Sequence, residues 1–321
     1  MVSPSTLSFL FLGSFLLSIV AFVVPYSDEF ARFQMLSFAA GAYADDPTSC
    51  MQTAFPNSSS QVSKVVDVIC DDKAVTRCSG FTAFSEDSKA IIISFRGTTT
   101  FLQLIQESLE TIFAAEQFIA GGFVSHYFYK AFKSVWEGGL HEDYLALKSN
   151  YSDFEVWVVG HSLGGAMASL CAATISDLGL VDPQKMKLMT FGSPRVGDKT
   201  FADLHDALVT LHHHQHLLKL HFQVPNAYRV THRRDIVPHV PPRFLPAGSL
   251  LNGYEHTKTE IWYNNAMVPG SKYVICDEHE SPKCSNGAIL PISVLDHLHY
   301  YEAVLFTNDY GKLGCPVKLV S

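Results

Sequence analysis

The sequence has few charged residues and no cluster of basic ones. Of its 321 residues, 17% are charged, and 31 acidic side chains outnumber 23 basic ones, which gives a formal charge of −8 at pH 7. A mildly acidic chain without a basic run lacks the electrostatic footprint of a protein that binds nucleic acid. We therefore expect no nucleic acid among its partners.

The chain has no internal repeat and only one long apolar run. That run covers residues 7–24 and precedes the first charged side chain, Asp28. We interpret residues 1–24 as a secretory signal peptide with an uncertain cleavage site, and an uncleaved signal anchor is the alternative. No second run of this length follows. The chain length permits one large α/β domain or two small ones, and we expect residues 25–321 to form a single domain.

A strand-turn-helix pattern surrounds one serine. Residues 156–159 are apolar and predict a buried strand, and small residues from Ala166 onward predict a helix that lies close to a sheet. Between them, residues 160–164 read G-H-S-L-G, the G-x-S-x-G turn that exposes a nucleophile. A side chain at either flanking glycine would collide with the neighbouring strand or helix. The pattern predicts that Ser162 is a nucleophile.

A second strand leads into a candidate oxyanion hole. Residues 89–95 form a β-branched run that ends in Arg96, Gly97 and three threonines. Acyl transfer needs preorganised donors for the negative oxygen of the tetrahedral intermediate. We expect the backbone N–H of Leu163 to be one donor and Thr98, through its backbone N–H and hydroxyl, to be the other. A β-turn satisfied by its own threonines is the alternative for this segment.

An acid and a base follow the serine in the chain. Asp235 comes just after a predicted strand at residues 228–232, and His297 lies on a loop or a first helical turn in the last tenth of the chain. The order Ser162, Asp235, His297 is the triad order of α/β-hydrolases. In such a triad the acid orients a histidine that removes the proton of the serine.

Fifteen histidines make the identity of the base ambiguous. His299 is the main competitor because it lies two residues from His297. His161 neighbours the serine, but we expect its side chain to point away across the elbow. His239 is too near Asp235 in the chain to bridge it to the nucleophile easily. We therefore favour His297.

The segment after Thr98 is predicted to be an amphipathic helix. Its apolar residues recur at helical spacing among glutamines and glutamates, and glycines on both sides offer hinges. We interpret the segment as a lid that covers Ser162 in water and opens against lipid, and a fixed surface helix is the alternative. The lid residues are Phe101, Leu102, Leu104, Ile105 and Leu109.

Seven cysteines predict three disulfides in a secreted chain. Local spacing favours Cys70–Cys78 and Cys276–Cys284, and Cys50–Cys315 would then join the start of the mature domain to its end. Cys171 lies among apolar residues of the helix after the elbow, and we expect a buried free thiol there. Asn57 and Asn150 begin N-x-S sequences and are candidate glycosylation sites.

The remaining pattern alternates strands and helices. Apolar periodicity predicts a first helix at residues 28–44 and a second, long helix at residues 124–148. Further strands are predicted at residues 65–69, 80–84 and 185–191, and a hairpin pair near the sheet edge at residues 258–263 and 272–276.

Together, these motifs resemble the class 3 lipases, the fungal triacylglycerol lipase type, and especially the secreted members of that class from animals. The resemblance runs from about residue 30 to 315. It rests on Phe95-Arg-Gly-Thr98, Val159-Gly-His-Ser162-Leu-Gly-Gly165, Thr190-Phe-Gly-Ser-Pro-Arg195, Asp235-Ile-Val-Pro-His239 and Asp296-His297-Leu-His-Tyr-Tyr301.

The resemblance implies an α/β-hydrolase fold, with a mostly parallel central sheet flanked by helices and a helical lid. It implies that Ser162 is the nucleophile, that Asp235 orients the imidazole, and that His297 is general base and then general acid. It also implies that Thr98 and Leu163 form the oxyanion hole and that neither a cofactor nor a metal is needed. The disulfide pattern of the family agrees with the pairing above.

The sequence departs from the family in two places. Fungal members carry a lid tryptophan where this chain has only Phe101, Leu102 and Leu104. Residues 210–224 form a His-rich insertion where the family runs directly from helix to strand. Its end codons can match splice junctions, so retained intron sequence is one interpretation. A real loop and a metal site are the others, and the histidine spacing selects no metal geometry.

We therefore expect a secreted, monomeric hydrolase that cleaves fatty-acyl esters of glycerolipids at an oil–water or membrane interface. A phospholipase or a soluble carboxylesterase of the same fold is the alternative enzyme. A catalytically silent lipid-binding protein on the same fold is the alternative from another class. The presence of serine, acid and histidine together favours an enzyme.

Overall fold

A computed structural model describes residues 25–70, 76–97, 114–207, 226–245, 253–301 and 306–316. The signal-peptide prediction for residues 1–24, Thr98, the lid residues 101–109 and the insertion at 210–224 lie outside these residues. The described residues contain the following strands: β1 Ser60–Ile69, β2 Arg77–Ser85, β3 Ala90–Phe95, β4 Ala115–Gln117, β5 Phe123–Ser125, β6 Glu155–His161, β7 Met186–Phe191, β8 Ala227–His232, β9 Glu260–Tyr263 and β10 Val274–Cys276.

Eight of these strands form the central sheet, in the order β1-β2-β3-β6-β7-β8-β9-β10. The four pairings from β3 through β6, β7 and β8 to β9 are parallel, whereas β1, β2 and β10 join antiparallel at the two edges. Strands β4 and β5 form a separate antiparallel pair. The predicted mostly parallel sheet is confirmed, and so is the hairpin pair of β9 and β10 near its edge.

Helices cover both faces of the sheet. In the described residues they are α1 Leu36–Gly41, which continues a π-helical turn at Phe30–Met35, α2 Thr48–Ala54, α3 His126–Val135, α4 His141–Asn150, α5 Leu163–Asp177, α6 Lys199–Asp206, α7 Val294–Leu298 and α8 Thr307–Lys312. None of them is both long and apolar enough to cross a bilayer.

The β-branched run of β3 is buried on both sides of the sheet. Ile91 and Ile93 pack in the apolar cluster that contains α3 and α5, and Ile92 packs in the opposite cluster with the N-terminal helix. A strand covered on both faces needs apolar residues at successive positions rather than at alternate ones. This requirement explains why β3 was recognisable in the sequence.

The prediction of one continuous helix over residues 124–148 is wrong. The segment begins in β5 and then forms α3, a π-helical segment at Trp136–Leu140 and α4. Gly139 has a φ of +131°, which interrupts the helix. A Cβ built on this glycine would lie 2.9 Å from Lys64 Cε on β1. The apolar periodicity continues across the break, because both helices bury one face against the sheet.

The cysteines pair as their spacing predicts. The structure contains the disulfides Cys50–Cys315, Cys70–Cys78 and Cys276–Cys284. Cys171 is a buried free thiol in α5. The side chains of the candidate glycosylation sites Asn57 and Asn150 are both exposed.

Candidate active site

The serine turn has the tight geometry that its glycines imply. Strand β6 ends at His161, Ser162 has φ 60° and ψ −128°, and α5 begins at Leu163. A positive φ at a residue other than glycine is a strained conformation that surrounding structure must hold. A Cβ on Gly160 would lie 2.1 Å from the carbonyl oxygen of Gly164, so that glycine has no substitute here.

Ser162 lies at the N-terminus of α5. It is buried, and its Oγ has no hydrogen-bond partner among the residues that the structure describes. The first N–H groups of a helix lack acceptors within it, and the helix dipole favours negative charge there. The N–H of Leu163, the first residue of α5, therefore suits the donor role predicted for it.

The end of β3 runs against the same turn. A Cβ on Gly97 would lie 3.0 Å from Ser162 Cβ and 2.6 Å from the carbonyl oxygen of His161. Gly97, the residue before Thr98, therefore lies against the turn that carries Ser162. The second predicted oxyanion donor lies outside the described residues and stays a prediction.

Asp235 and His297 meet at the carboxyl end of the parallel strands. Asp235 follows β8, and His297 lies in α7, which Ser293 caps by accepting a hydrogen bond from the backbone N–H of Asp296. The distance from His297 Nδ1 to Asp235 Oδ2 is 3.0 Å, and both side chains are buried. Because a carboxylate only accepts, Nδ1 carries a proton, and Nε2 is the acceptor when the ring is neutral.

Two further donors hold Asp235. The hydroxyl of Tyr300 donates to Oδ2 over 2.7 Å, and the backbone N–H of Val237 donates to Oδ1 over 2.8 Å. Burial and the nearby Asp235 raise the pKa of Tyr300 well above its usual value, so this hydroxyl stays a donor. Sequence reasoning gave Tyr300 no role, although its position three residues after His297 in a shared motif was a signal.

Gly192, just after β7, lies directly against this group. Its φ is +57°, and a Cβ there would lie 2.8 Å from Asp235 Oδ2, 2.8 Å from the Tyr300 hydroxyl and 2.9 Å from His297 Nδ1. A side chain at this position would therefore displace the acid, its tyrosine donor and the base together. The conformation also disfavours any residue with a Cβ.

The His161 side chain makes no hydrogen bond with Ser162 Oγ, which has no partner among the described residues. Its ring stacks on that of His297, with centroids 4.7 Å apart, and its Nε2 donates to the His297 carbonyl oxygen over 2.9 Å. Nδ1 accordingly accepts from the Tyr43 hydroxyl at 2.8 Å. Burial, followed by the neighbouring His297, lowers the pKa of His161 to about 3, so the ring is neutral. Tyr43 and His297, which hold this ring, lie far from His161 in the chain, so the contacts form only when the chain is folded.

The other histidines near the site do not pair with Asp235. His299 Nδ1 donates to the carbonyl oxygen of Leu295 in the preceding helix. The His239 ring is largely buried, and its Nε2 has no hydrogen-bond partner among the described residues. The His297 ring occupies the hydrogen bond with Asp235, and His297 stays the predicted base.

A buried ion pair ties together the loops around the site. Arg195, in the loop after β7, contacts both carboxylate oxygens of Glu280 at 2.8 Å and donates to the Pro241 carbonyl over 2.9 Å. The Arg195 guanidinium and neighbouring His256 more than offset the cost of burial and hold the pKa of Glu280 well below its usual value. The loop after β7, the loop that follows Asp235 and the Cys276–Cys284 loop are therefore fixed to one another.

Comparison with known proteins identifies relatives of this chain. A family model described as lipase (class 3) matches residues 92–245. Lipase ZK262.3 of Caenorhabditis elegans is 32% identical over 342 residues, which cover 97% of this chain and 91% of the relative. Secreted mono- and diacylglycerol lipase 1 of Fusarium solani is 29% identical over 266 residues, which cover 80% and 69% of the two chains.

A solved structure shares the fold. The crystal structure of a lipase from Rhizopus microsporus var. chinensis superposes with a TM-score of 0.69 at 25% identity. The match covers 89% of this chain and 91% of the fungal one. The strand order, the helices on both faces and the serine turn after a parallel strand are thus those of an α/β-hydrolase.

Proposed function

This chain belongs to the class 3 lipase family, and from that premise we propose that it is a secreted hydrolase of fatty-acyl esters of glycerolipids. The observation that carries the proposal is the hydrogen bond from His297 Nδ1 to Asp235 Oδ2, beside the strained turn that carries Ser162. The three disulfides support secretion, because such bonds persist in oxidising compartments. The protein acts as a monomer and binds no nucleic acid.

The reaction proceeds through an acyl-enzyme. His297 Nε2 accepts the proton of Ser162, whose Oγ attacks the acyl carbonyl carbon. The N–H groups of Leu163 and Thr98 stabilise the oxyanion. His297 then gives its proton to the leaving alcohol, and a water that it deprotonates releases the fatty acid. Asp235 stabilises the imidazolium throughout. Catalytic hydrogen bonds often tighten only once substrate binds, which accommodates the unbonded Oγ.

The test compares Ser162→Ala with the unaltered protein on a triacylglycerol, below and above its solubility limit. We expect a rate increase when the emulsion forms, and loss of hydrolysis by at least about a thousandfold in the variant. Ser134→Ala is the matched control, because the hydroxyl of this serine donates to the Lys130 carbonyl oxygen in its own helix. Full activity in Ser162→Ala would refute the mechanism.

The same assay separates the alternatives. Cleavage of dissolved short esters without a rate increase at the emulsion would identify a soluble carboxylesterase and remove the lid role proposed for residues 101–109. Preference for a phospholipid over a triacylglycerol would identify a phospholipase. Lipid binding without hydrolysis of any ester would identify a silent lipid-binding protein.

A further inference from the structure

The segment from Ala288 to Leu295, called the apolar loop below, exposes aliphatic side chains to water. Ile289 is 83% exposed, Leu290 65%, Ile292 64% and Leu295 63%. No charged residue occurs between Lys283 and Asp296. Single exposed aliphatic residues are common on protein surfaces, but a contiguous group of them marks a surface that contacts another apolar body.

The backbone of the loop is anchored at two points. At its start, Cys284 is bonded to Cys276, and the N–H of Ala288 donates to the carbonyl oxygen of Ser285 over 2.9 Å. Near its end, the N–H of Ser293 donates to the carbonyl oxygen of Arg234 over 2.9 Å. The exposed residues 289–292 therefore lie between two fixed positions.

The apolar loop is joined to the catalytic groups on its C-terminal side. Ser293 forms a parallel bridge with Asp235, and its hydroxyl caps the helix that carries His297. The loop consequently lies next to Asp235 and His297, at the carboxyl end of the parallel strands.

We propose that the apolar loop is the surface by which the protein docks on aggregated neutral lipid, so that the active site faces its substrate. This proposal rests on the proposed function. A second protein copy is a poorer occupant, because a stable protein interface takes about 20–30 residues on each side. Four aliphatic side chains without charge instead suit insertion among the acyl chains of a lipid.

The test measures binding of the Ser162→Ala protein to a triacylglycerol emulsion by flotation, so that docking is read without hydrolysis. The test variant combines Ile289→Ser, Leu290→Asn and Ile292→Ser. Leu290 has a φ of +53°, a conformation that asparagine adopts more readily than leucine, so this change does not strain the fold. The control combines Ile69→Ser and Leu178→Asn, two exposed aliphatic residues on other elements.

We expect the triple variant to bind the emulsion at least about tenfold more weakly, which is ~1.4 kcal/mol. We expect the control to bind as the parent does. With Ser162 restored, the triple variant should hydrolyse a dissolved short ester at the parental rate. Leu290→Asn alone, as the mildest change, should lose about threefold in binding.

Parental binding by the triple variant, or an equal loss in the control, would overturn the proposal. So would a lipid-free protein that sediments as a dimer and becomes a monomer in the triple variant, because the loop would then join two copies. Failure of the proposed function is distinguishable, because it would show as absent hydrolysis by the unaltered protein while binding still depended on the loop.

Discussion

The imidazole of His161 lies flat against the imidazole of His297, with an interplanar angle of 25°, and is bonded to that residue's own carbonyl. His161, the residue before Ser162, therefore supports His297 through both a ring contact and a hydrogen bond to its backbone. Tyr43 fixes the tautomer of His161 that makes this support available.

Replacing His161 by Ala should lower kcat on a dissolved short ester about tenfold, or ~1.4 kcal/mol, with little change in KM, because the base loses its support and the substrate loses no contact. Tyr43→Phe should lower kcat less. It leaves Nδ1 of His161 unpaired and should lower the free energy of unfolding by about 1–3 kcal/mol. Steady-state kinetics and urea unfolding measure the two effects. If His161→Ala lowered the stability but left kcat unchanged, His161 would contribute to packing and not to the support of His297.

Sequence patterns were sufficient where neighbours in the chain decide the structure. The glycines around Ser162 and the β-branched run of β3 are such cases, and motif order identified Asp235 and His297. The role of Tyr43 was not predicted, because its contact with His161 joins residues 118 positions apart in the chain. No local pattern encodes such a pairing, because it depends on how the first helix packs under the sheet.

Two other features of the structure were also not predicted from the sequence. The pairing of Arg195 with Glu280 spans 85 residues and depends on the buried space between three loops, so the sequence assigned no role to either residue. The break at Gly139 was hidden for a different reason: helical periodicity survives on both sides of it. The glycine pair at 138–139 was the only local sign.

Tyr300→Phe should lower kcat on a dissolved short ester about tenfold, because Asp235 loses one of the two donors that hold it beside His297. Steady-state kinetics measure the effect. Tyr301→Phe is the matched control, since its hydroxyl bonds to Tyr26 at 2.7 Å instead. An equal loss of kcat in both variants would contradict this prediction.

Loss of the Glu280 charge should change how stability depends on pH. The pKa of Glu280 is lower in the folded chain than the value of about 4.3 in an unfolded one, so its stabilisation is complete above pH 4.3 and declines as pH falls. Glu280→Gln should lose about 3–5 kcal/mol of unfolding free energy at pH 7 and show a flatter decline below pH 4.3. Chemical unfolding at several pH values measures both. Glu142→Gln, at an exposed position in α4, should match the parent; if it behaved like Glu280→Gln, the assignment would be wrong.

The disulfides should differ in what they contribute to stability. Cys50 and Cys315 are 265 residues apart, and Cys70 and Cys78 are 8 apart. In the chain-entropy model, loops of these lengths correspond to about 5–6 and about 2–3 kcal/mol of stabilisation. Thermal unfolding of paired Cys→Ser variants should therefore show the larger drop in Tm for the long loop. A larger drop for the short loop would mean that strain or residual structure outweighs chain entropy.

Any substitution of Gly192 would disturb the side chains of Asp235, His297 and Tyr300. Asp235, His297 and Tyr300 are distant from Gly192 in the chain, yet the Cβ of any other residue at this position would lie within 2.9 Å of an atom of each. A single missense change in this codon can therefore inactivate the enzyme while Ser162, Asp235 and His297 all remain in place. A relative of this chain that keeps its triad but has lost Gly192 should consequently be read as an inactive copy.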